Sequence, residues 1–165
     1  MYNRDLDRLT DYPFERLRAL LGGLEPPATV EPLIMSLGEP QHASPALIQE
    51  TVAAHADGWA KYPPVAGSRD LLDAVSDWLG RRYGLPSLAL DPVSNILAVN
   101  GTKEALFMAG NICIPRTKNG RRPAVLIPNP FYQVYLGATV SRDAEPVYLS
   151  ATKETGFLPD FENLN

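Results

Sequence analysis

Length, composition and charge together restrict the class of protein. The 165 residues suffice for a domain with a substantial core, and a content of 45% hydrophobic and 21% charged residues is typical of a globular protein. The formal net charge of −4 argues against a nucleic-acid partner or an anionic membrane surface, and no apolar run approaches the roughly 20 residues of a membrane span. The single cysteine, Cys113, and a charged N-terminus without the apolar core of a signal peptide favour a cytoplasmic protein.

The first half of the chain carries signals for three helices. Pro13 fits the first position of the first helix, because proline lacks the N–H that a helix start leaves unpaired. Ser44-Pro45 predicts the start of a second helix in the same way, and Gly58 ends it. Ser68 can cap a third helix, which Gly84 closes.

Two segments between these helices lack helical periodicity. Residues Ile34–Leu37 form a short strand-like run, which ends at the turn Gly38-Glu39-Pro40. Residues Tyr62–Gly67 contain two adjacent prolines and one aromatic side chain, and they predict a rigid loop.

The stretch that follows predicts a strand that turns directly into a helix. Ile96–Val99 has the length and β-branched content of a buried strand, Asn100–Thr102 forms the turn, and a helix begins at Lys103. Its apolar face would contain Ala105, Leu106, Ala109 and Ile112. The unpaired N–H groups of such a helix start, together with the helix dipole, can bind a phosphate. The alternative is an ordinary strand–helix turn with Thr102 as its cap.

The remaining segment predicts two further strands with a helix between them. Ala124–Ile127 is apolar, Pro128–Tyr132 turns into a helix, and Ala144–Leu149 resembles another strand. Strands that alternate with helices indicate an α/β protein with a parallel sheet. The basic residues before the first of these strands predict an exposed loop rather than a binding patch, because no aromatic residues interleave with them: Arg116, Lys118, Arg121 and Arg122.

Several common sites are not supported by the sequence. Gly101-Thr102-Lys103 is only a fragment of a nucleotide-binding P-loop, and the dinucleotide-binding glycine pattern is absent. His42 and His55, with too few neighbouring cysteines, do not make a metal site. The serines lack the Gly-x-Ser-x-Gly setting of a hydrolase nucleophile.

Several short motifs, taken together, resemble one family. They occur in order along nearly the whole chain: Leu6–Leu9, Tyr12–Leu17, Ser36–Pro40, Tyr62–Pro63, Asn100–Phe107, Pro128–Tyr135 and Gly156–Phe161. In this order the motifs are similar to those of the class I and II aminotransferases of fold type I, which depend on pyridoxal 5'-phosphate. The resemblance implies an N-terminal arm and small-domain segment over residues 1–58. It implies that residues 59–165 are the first half of the cofactor-binding large domain, a three-layer αβα structure with a mostly parallel sheet.

The resemblance assigns cofactor-binding roles residue by residue. Gly101, Thr102 and Lys103 would supply N–H groups, and Thr102 its hydroxyl, to the cofactor phosphate. Tyr132 would stack on the pyridine ring. Tyr62 would reach the phosphate of a neighbouring subunit's cofactor, which implies a homodimer.

The resemblance also implies an activity. Gly38 would offer its N–H to a substrate carboxylate, and the match favours members that transfer an amino group between N-succinyl-LL-2,6-diaminopimelate and 2-oxoglutarate in lysine biosynthesis. An aminotransferase for aspartate, alanine or aromatic amino acids, and a truncated non-catalytic binding or dimerisation module, remain alternatives.

The chain departs from the family pattern in one respect. The family's Asn-Pro-x-Gly segment, its aspartate for the pyridine nitrogen, its Schiff-base lysine and its carboxylate-binding arginine are all expected beyond Asn165. Lys61, Lys103, Lys118 and Lys153 lack the Ser-x-Ser-Lys-like setting of the catalytic lysine. We therefore expect no catalytic residue in this chain and no activity from it alone.

Overall fold

The secondary structure is mostly helical, with one pair of strands. The computed structural model describes residues 2–31, 33, 35–86, 89–161 and 164. Within these residues two 3-10 helices cover Arg4–Arg8 and Ala56–Ala60. The other elements are α1 (Pro13–Leu21), α2 (Ala46–Ala54), α3 (Arg69–Tyr83), α4 (Thr102–Cys113), β1 (Ala124–Asn129), α5 (Gln133–Ser141) and β2 (Glu145–Ser150).

The chain divides into two compact units. One contains residues 1–20 together with 99–165, and the other contains residues 21–98. These units are groups of residues that contact one another within this chain. The predicted division is of another kind, because it concerns the domains of the family's fold. An arm and small-domain segment over residues 1–58 and a large domain over residues 59–165 therefore stay a prediction.

Strands β1 and β2 form the centre of the first unit. They pair in parallel, with Ile127 opposite Tyr148, and α5 connects them. Parallel neighbours need such a crossover, so the predicted β–α–β order and the parallel sheet are confirmed. Ile127 on β1 and Val140 on α5 are almost completely buried. Burying a side chain of this size stabilises the fold by about 1.5–3 kcal/mol.

Helix α5 is buried on several sides, and α4 packs against it through a glycine. A Cβ atom added at Gly110 of α4 would lie 2.6 Å from the Cβ of Ala138 on α5, so the two backbones approach closely because Gly110 has no side chain. Leu106, Gly110 and Ile114 recur four residues apart and are all partly buried. The predicted apolar face is therefore wrong at Ile112, whose side chain is exposed.

The second unit contains the predicted third helix. The Ser68 hydroxyl accepts the N–H of Leu71 at 3.3 Å, and Gly84 ends α3 in the left-handed conformation, so both predicted helix signals are confirmed. Further along, Asp91 accepts the N–H of Val93. This hydrogen bond is the main cause that holds the pKa of Asp91 below its usual value.

Two predicted strands are wrong in the described residues. Residues 96–99 have irregular structure and pair with no strand there, and Leu97 is 65% exposed. An apolar run forms a strand only when a neighbour completes its hydrogen-bond ladder, and the described sheet contains only β1 and β2. Residues 35–37 of the strand-like run before Gly38 are also not a strand, and Ile34 lies outside the described residues.

The start of α2 also differs from the prediction. Pro45 rather than Ser44 occupies the cap position of α2, and no side chain caps this helix. The two 3-10 helices escaped prediction because a single short turn has no periodicity to detect. No helix in the part of the chain that the structure describes is long and apolar enough to cross a membrane.

Candidate active site

The candidate site begins at the turn into α4. Gly101 is the N-cap residue, with φ 102° and ψ 167°, a conformation that residues with a side chain rarely adopt. Thr102 is the first helical residue and makes no capping hydrogen bond, so the alternative in which Thr102 caps the helix is wrong. The helix starts within one residue of the predicted position, and a Cβ added at Gly101 would meet no atom within 4 Å.

The first N–H groups of α4 are available to a ligand. The carboxylate of Glu104 accepts the N–H of Asn100 at 2.6 Å. Among the described residues, no hydrogen bond takes up the N–H groups of Gly101, Thr102 or Lys103. Such donors, with the positive end of the helix dipole behind them, favour an anion.

Lys103 adds a positive charge beside this helix start and contacts two aromatic rings. Its Nζ atom lies 5.7 Å from the centroid of the Tyr12 ring and 5.9 Å from that of the Tyr132 ring. Both distances are in the range of a cation–π interaction. The contact brings together the N-terminal segment, the first turn of α4 and the N-terminal end of α5.

Tyr132 is placed where a planar ligand can reach it. It is the N-cap residue of α5, its side chain is 42% exposed, and its ring meets that of Tyr135 edge to face. An open cavity of about 490 Å³ lies beside these residues and is lined by Tyr12, Asn100, Lys103, Glu104, Phe107, Gln133 and Val134.

The other two predicted site residues belong to the second unit. Tyr62 lies in an irregular segment and its side chain is fully exposed. Gly38 is also exposed and in irregular structure, with no atom within 4 Å of an added Cβ. The structure thus brings together Gly101, Thr102, Lys103 and Tyr132, whereas each of the two others is described only within its own unit.

Of the residues that line this cavity, sequence reasoning named only Lys103 as a site residue and missed the others, including Tyr12. Tyr12 was part of a family motif, but its sequence position next to Pro13 gave no sign of a contact with Lys103, 91 residues later. The other lysines, at positions 61, 118 and 153, have no such aromatic surroundings among the described residues. In those same residues no three His, Cys, Asp or Glu side chains are grouped so that they could hold a metal ion.

The fold and this site define an α/β protein with a helix start whose first N–H groups have no partner among the described residues, beside a partly exposed aromatic residue. The comparison with known sequences makes the class specific, because residues 32–165 match the family described as aminotransferase class I and II. The chain belongs to this family, which depends on pyridoxal 5'-phosphate.

Relatives and solved structures agree with this assignment. The LL-diaminopimelate aminotransferase of Syntrophobacter fumaroxidans is 29% identical over 96% of this chain and 39% of its own length. The aspartate aminotransferase of Pyrococcus horikoshii is 29% identical over 76% of this chain and 30% of its own length. The crystal structure of an aminotransferase from Neisseria meningitidis has a TM-score of 0.87 and 35% identity, covering 99% of this chain and 40% of that one. The predicted fold class is thereby confirmed, and the chain spans 30–40% of the length of these proteins.

The residues present fit the phosphate and ring of this cofactor. Unpaired N–H donors at the start of α4 suit a phosphate dianion, and the space in front of Gly101 admits it. The ring of Tyr132, a residue that is 42% exposed, suits stacking with an aromatic ring.

Proposed function

We propose that this chain is the N-terminal part of an aminotransferase and supplies the phosphate-binding half of its cofactor site. The observation that carries the proposal is the start of α4, where three successive N–H groups without partners in the described residues adjoin a lysine and an exposed tyrosine. A backbone site of this kind holds an anion without any side-chain rearrangement.

Each residue would have a distinct task at this site. Gly101, Thr102 and Lys103 would donate their N–H groups to the phosphate, and the Thr102 hydroxyl would add a further donor. The Lys103 ammonium would offset the negative charge of the phosphate and of Glu104. The face of Tyr132 would fix the plane of the pyridine ring. When bound, the cofactor supplies the electron sink that makes removal of an α-proton from the amino acid possible.

The two residues of the second unit would complete the site in an assembled enzyme. Tyr62 would donate its hydroxyl to the phosphate held by a second subunit, and this role agrees with a residue that is fully exposed. Gly38 would offer its N–H to a substrate carboxylate. The proposed oligomer is therefore a homodimer with shared sites.

The proposed amino donor is a diaminopimelate. The reaction would transfer an amino group from N-succinyl-LL-2,6-diaminopimelate to 2-oxoglutarate in lysine biosynthesis. The relative named LL-diaminopimelate aminotransferase supports a donor of this carbon skeleton and makes the unsuccinylated compound the nearest rival. The relative named aspartate aminotransferase, at the same identity, keeps aspartate as a second candidate.

None of the four lysines of this chain is proposed as the lysine that bonds the cofactor. Lys103 lies at the phosphate end of the site, and the proposal gives it an electrostatic role. Without a lysine positioned at the α-carbon no group moves the α-proton, and the advantage of a positioned base is lost. Residues 1–165 with added cofactor should therefore give no turnover above that of free pyridoxal phosphate.

The experiment compares amino donors in the full-length protein that contains this chain. Glutamate formation from 2-oxoglutarate is measured with N-succinyl-LL-diaminopimelate, LL-diaminopimelate, aspartate, alanine and phenylalanine as donors. The proposal expects the largest kcat/KM for the succinylated donor. A larger value for aspartate would replace the donor assignment, and no glutamate from any donor would refute the aminotransferase proposal.

A further inference from the structure

The N-terminal strap, residues 2–12, makes few hydrogen bonds and ion pairs with the rest of the first unit. Its other hydrogen bonds are local, such as that from the Tyr2 hydroxyl to Asp7. Among the described residues, only Arg8 connects the strap to distant residues by hydrogen bonds and ion pairs, and Tyr12 does so by its ring. The 3-10 helix Arg4–Arg8 also packs on α5, but no side chain of this helix is buried.

Arg8 belongs to a latch of four charged side chains at the turn between α5 and β2. Its guanidinium lies 3.3 Å from the carboxylate of Asp143 and 3.7 Å from that of Glu145. Arg122, two residues before β1, approaches the same two carboxylates at 3.1 and 2.6 Å. Both arginines also donate to the carbonyl oxygen of Ala144, at 3.2 Å for Arg8 and 3.4 Å for Arg122.

The turn presents these acceptors in a fixed arrangement. Asp143 has a positive φ of 52°, unusual for a residue with a side chain, and its N–H donates to Val140. Ala144 is completely buried, and its N–H donates to Thr139. The acceptors therefore stand on the rigid end of α5. The charged side chains are one third to two thirds exposed, so salt should weaken the latch.

The latch limits where Tyr12 can be. Four residues span at most about 14 Å, so a fixed Arg8 keeps the backbone of Tyr12 within that distance of the backbone of Arg8. Tyr12 lies against Lys103 and forms one wall of the 490 Å³ cavity at the candidate site. A strap released from Asp143 and Glu145 would leave this wall with two non-local attachments among the described residues, the ring–ammonium contact and the packing of Arg4–Arg8 on α5.

We propose that Arg8 is a positioning residue, which latches the N-terminal strap so that the Tyr12 ring stays against the Lys103 ammonium. The strap then acts as one wall of the ligand cavity. The role of this wall in ligand binding rests on the proposed function. The latch rests only on the contacts described above.

The test measures the Tyr12–Lys103 contact without any ligand. Aromatic rings shift the NMR resonances of a nearby Lys103 side chain, and a Tyr12→Leu variant gives the value without the Tyr12 ring. Arg8→Gln should move the Lys103 Hε shift at least halfway to that value. The matched control is Arg18→Gln, which removes an arginine of the same region whose partner, Glu15, lies one helical turn away and outside the latch.

The outcomes separate the latch from the proposed function. If the Lys103 Hε chemical shift is the same in the Arg8→Gln and Arg18→Gln variants, the latch is overturned. If Arg8→Gln fails to fold, the unaltered chain in about 0.5 M salt decides, because screening should move the Lys103 shift in the same direction and an unchanged shift would overturn the latch. If added pyridoxamine phosphate shifts no NMR resonance of a cavity residue, the proposed function is refuted. A positive result for the latch would still stand, because the latch is measured without ligand.

Discussion

Gly101 is the residue on which the geometry of the candidate site depends most directly. Its φ of 102° lies in a region where a side chain strains the backbone, and no neighbouring atom occupies the space where a Cβ would stand. Backbone conformation, rather than crowding, therefore explains why glycine suits this position. The conformation directs the following N–H groups out of the start of α4, where Lys103 adds its charge.

Replacement of Gly101 should affect ligand binding more than a matched change elsewhere. Gly101→Ala and Gly120→Ala both place a side chain at a positive φ with open space around it, so each should cost about 1–3 kcal/mol of folding stability. Only Gly101→Ala should also weaken pyridoxal phosphate binding, because only its strain displaces the phosphate donors. Thermal unfolding measures the folding stability, and a fluorescence titration measures the affinity for the cofactor. Equal cofactor affinity in both variants would count against phosphate binding at the start of α4.

At the scale of elements, the sequence predicted those parts that local chemistry determines. Ser68 and Gly84 define α3, and the alternation of apolar strands with a helix predicts β1, α5 and β2. The features that the sequence did not predict correctly depend on tertiary contacts. Residues 96–99 have strand composition but no strand partner in the described sheet, and the contact between Tyr12 and Lys103 joins positions with no periodic relation.

The contact between α4 and α5 depends on one small residue. Gly110→Ala would place a methyl group 2.6 Å from the Cβ of Ala138, so the helices must separate, and we expect a loss of about 1–3 kcal/mol. Gly137→Ala is the matched control, because this helical glycine has no atom within 4 Å of an added Cβ and alanine favours a helix by about 0.5–1 kcal/mol. Chemical denaturation of both variants measures their free energies of unfolding. A Gly110→Ala variant at least as stable as the original chain would contradict the close contact between α4 and α5.

At the scale of the whole molecule, large apolar side chains remain exposed near Tyr62. Trp59 is 77% exposed and Val65 98% exposed, in the segment that would reach a neighbouring subunit. Exposed apolar side chains that lie close together are typical of an interface. We therefore expect the full-length protein to be a dimer at micromolar concentration, with Tyr62→Ala weakening cofactor retention. Sedimentation velocity measures the oligomeric state, and a monomer would contradict a site shared between subunits.

The central claim is that the start of α4 binds the phosphate of the cofactor, and amide NMR tests it most directly. Pyridoxamine phosphate is titrated into residues 1–165, because its amine forms no covalent bond with lysine side chains, and pyridoxamine without phosphate is the control ligand. The account predicts saturable shifts at the amides of Gly101, Thr102 and Lys103 with the phosphorylated ligand alone, accompanied by shifts of the Tyr132 ring resonances. Unchanged amides at millimolar ligand, or equal shifts with unphosphorylated pyridoxamine, would contradict it.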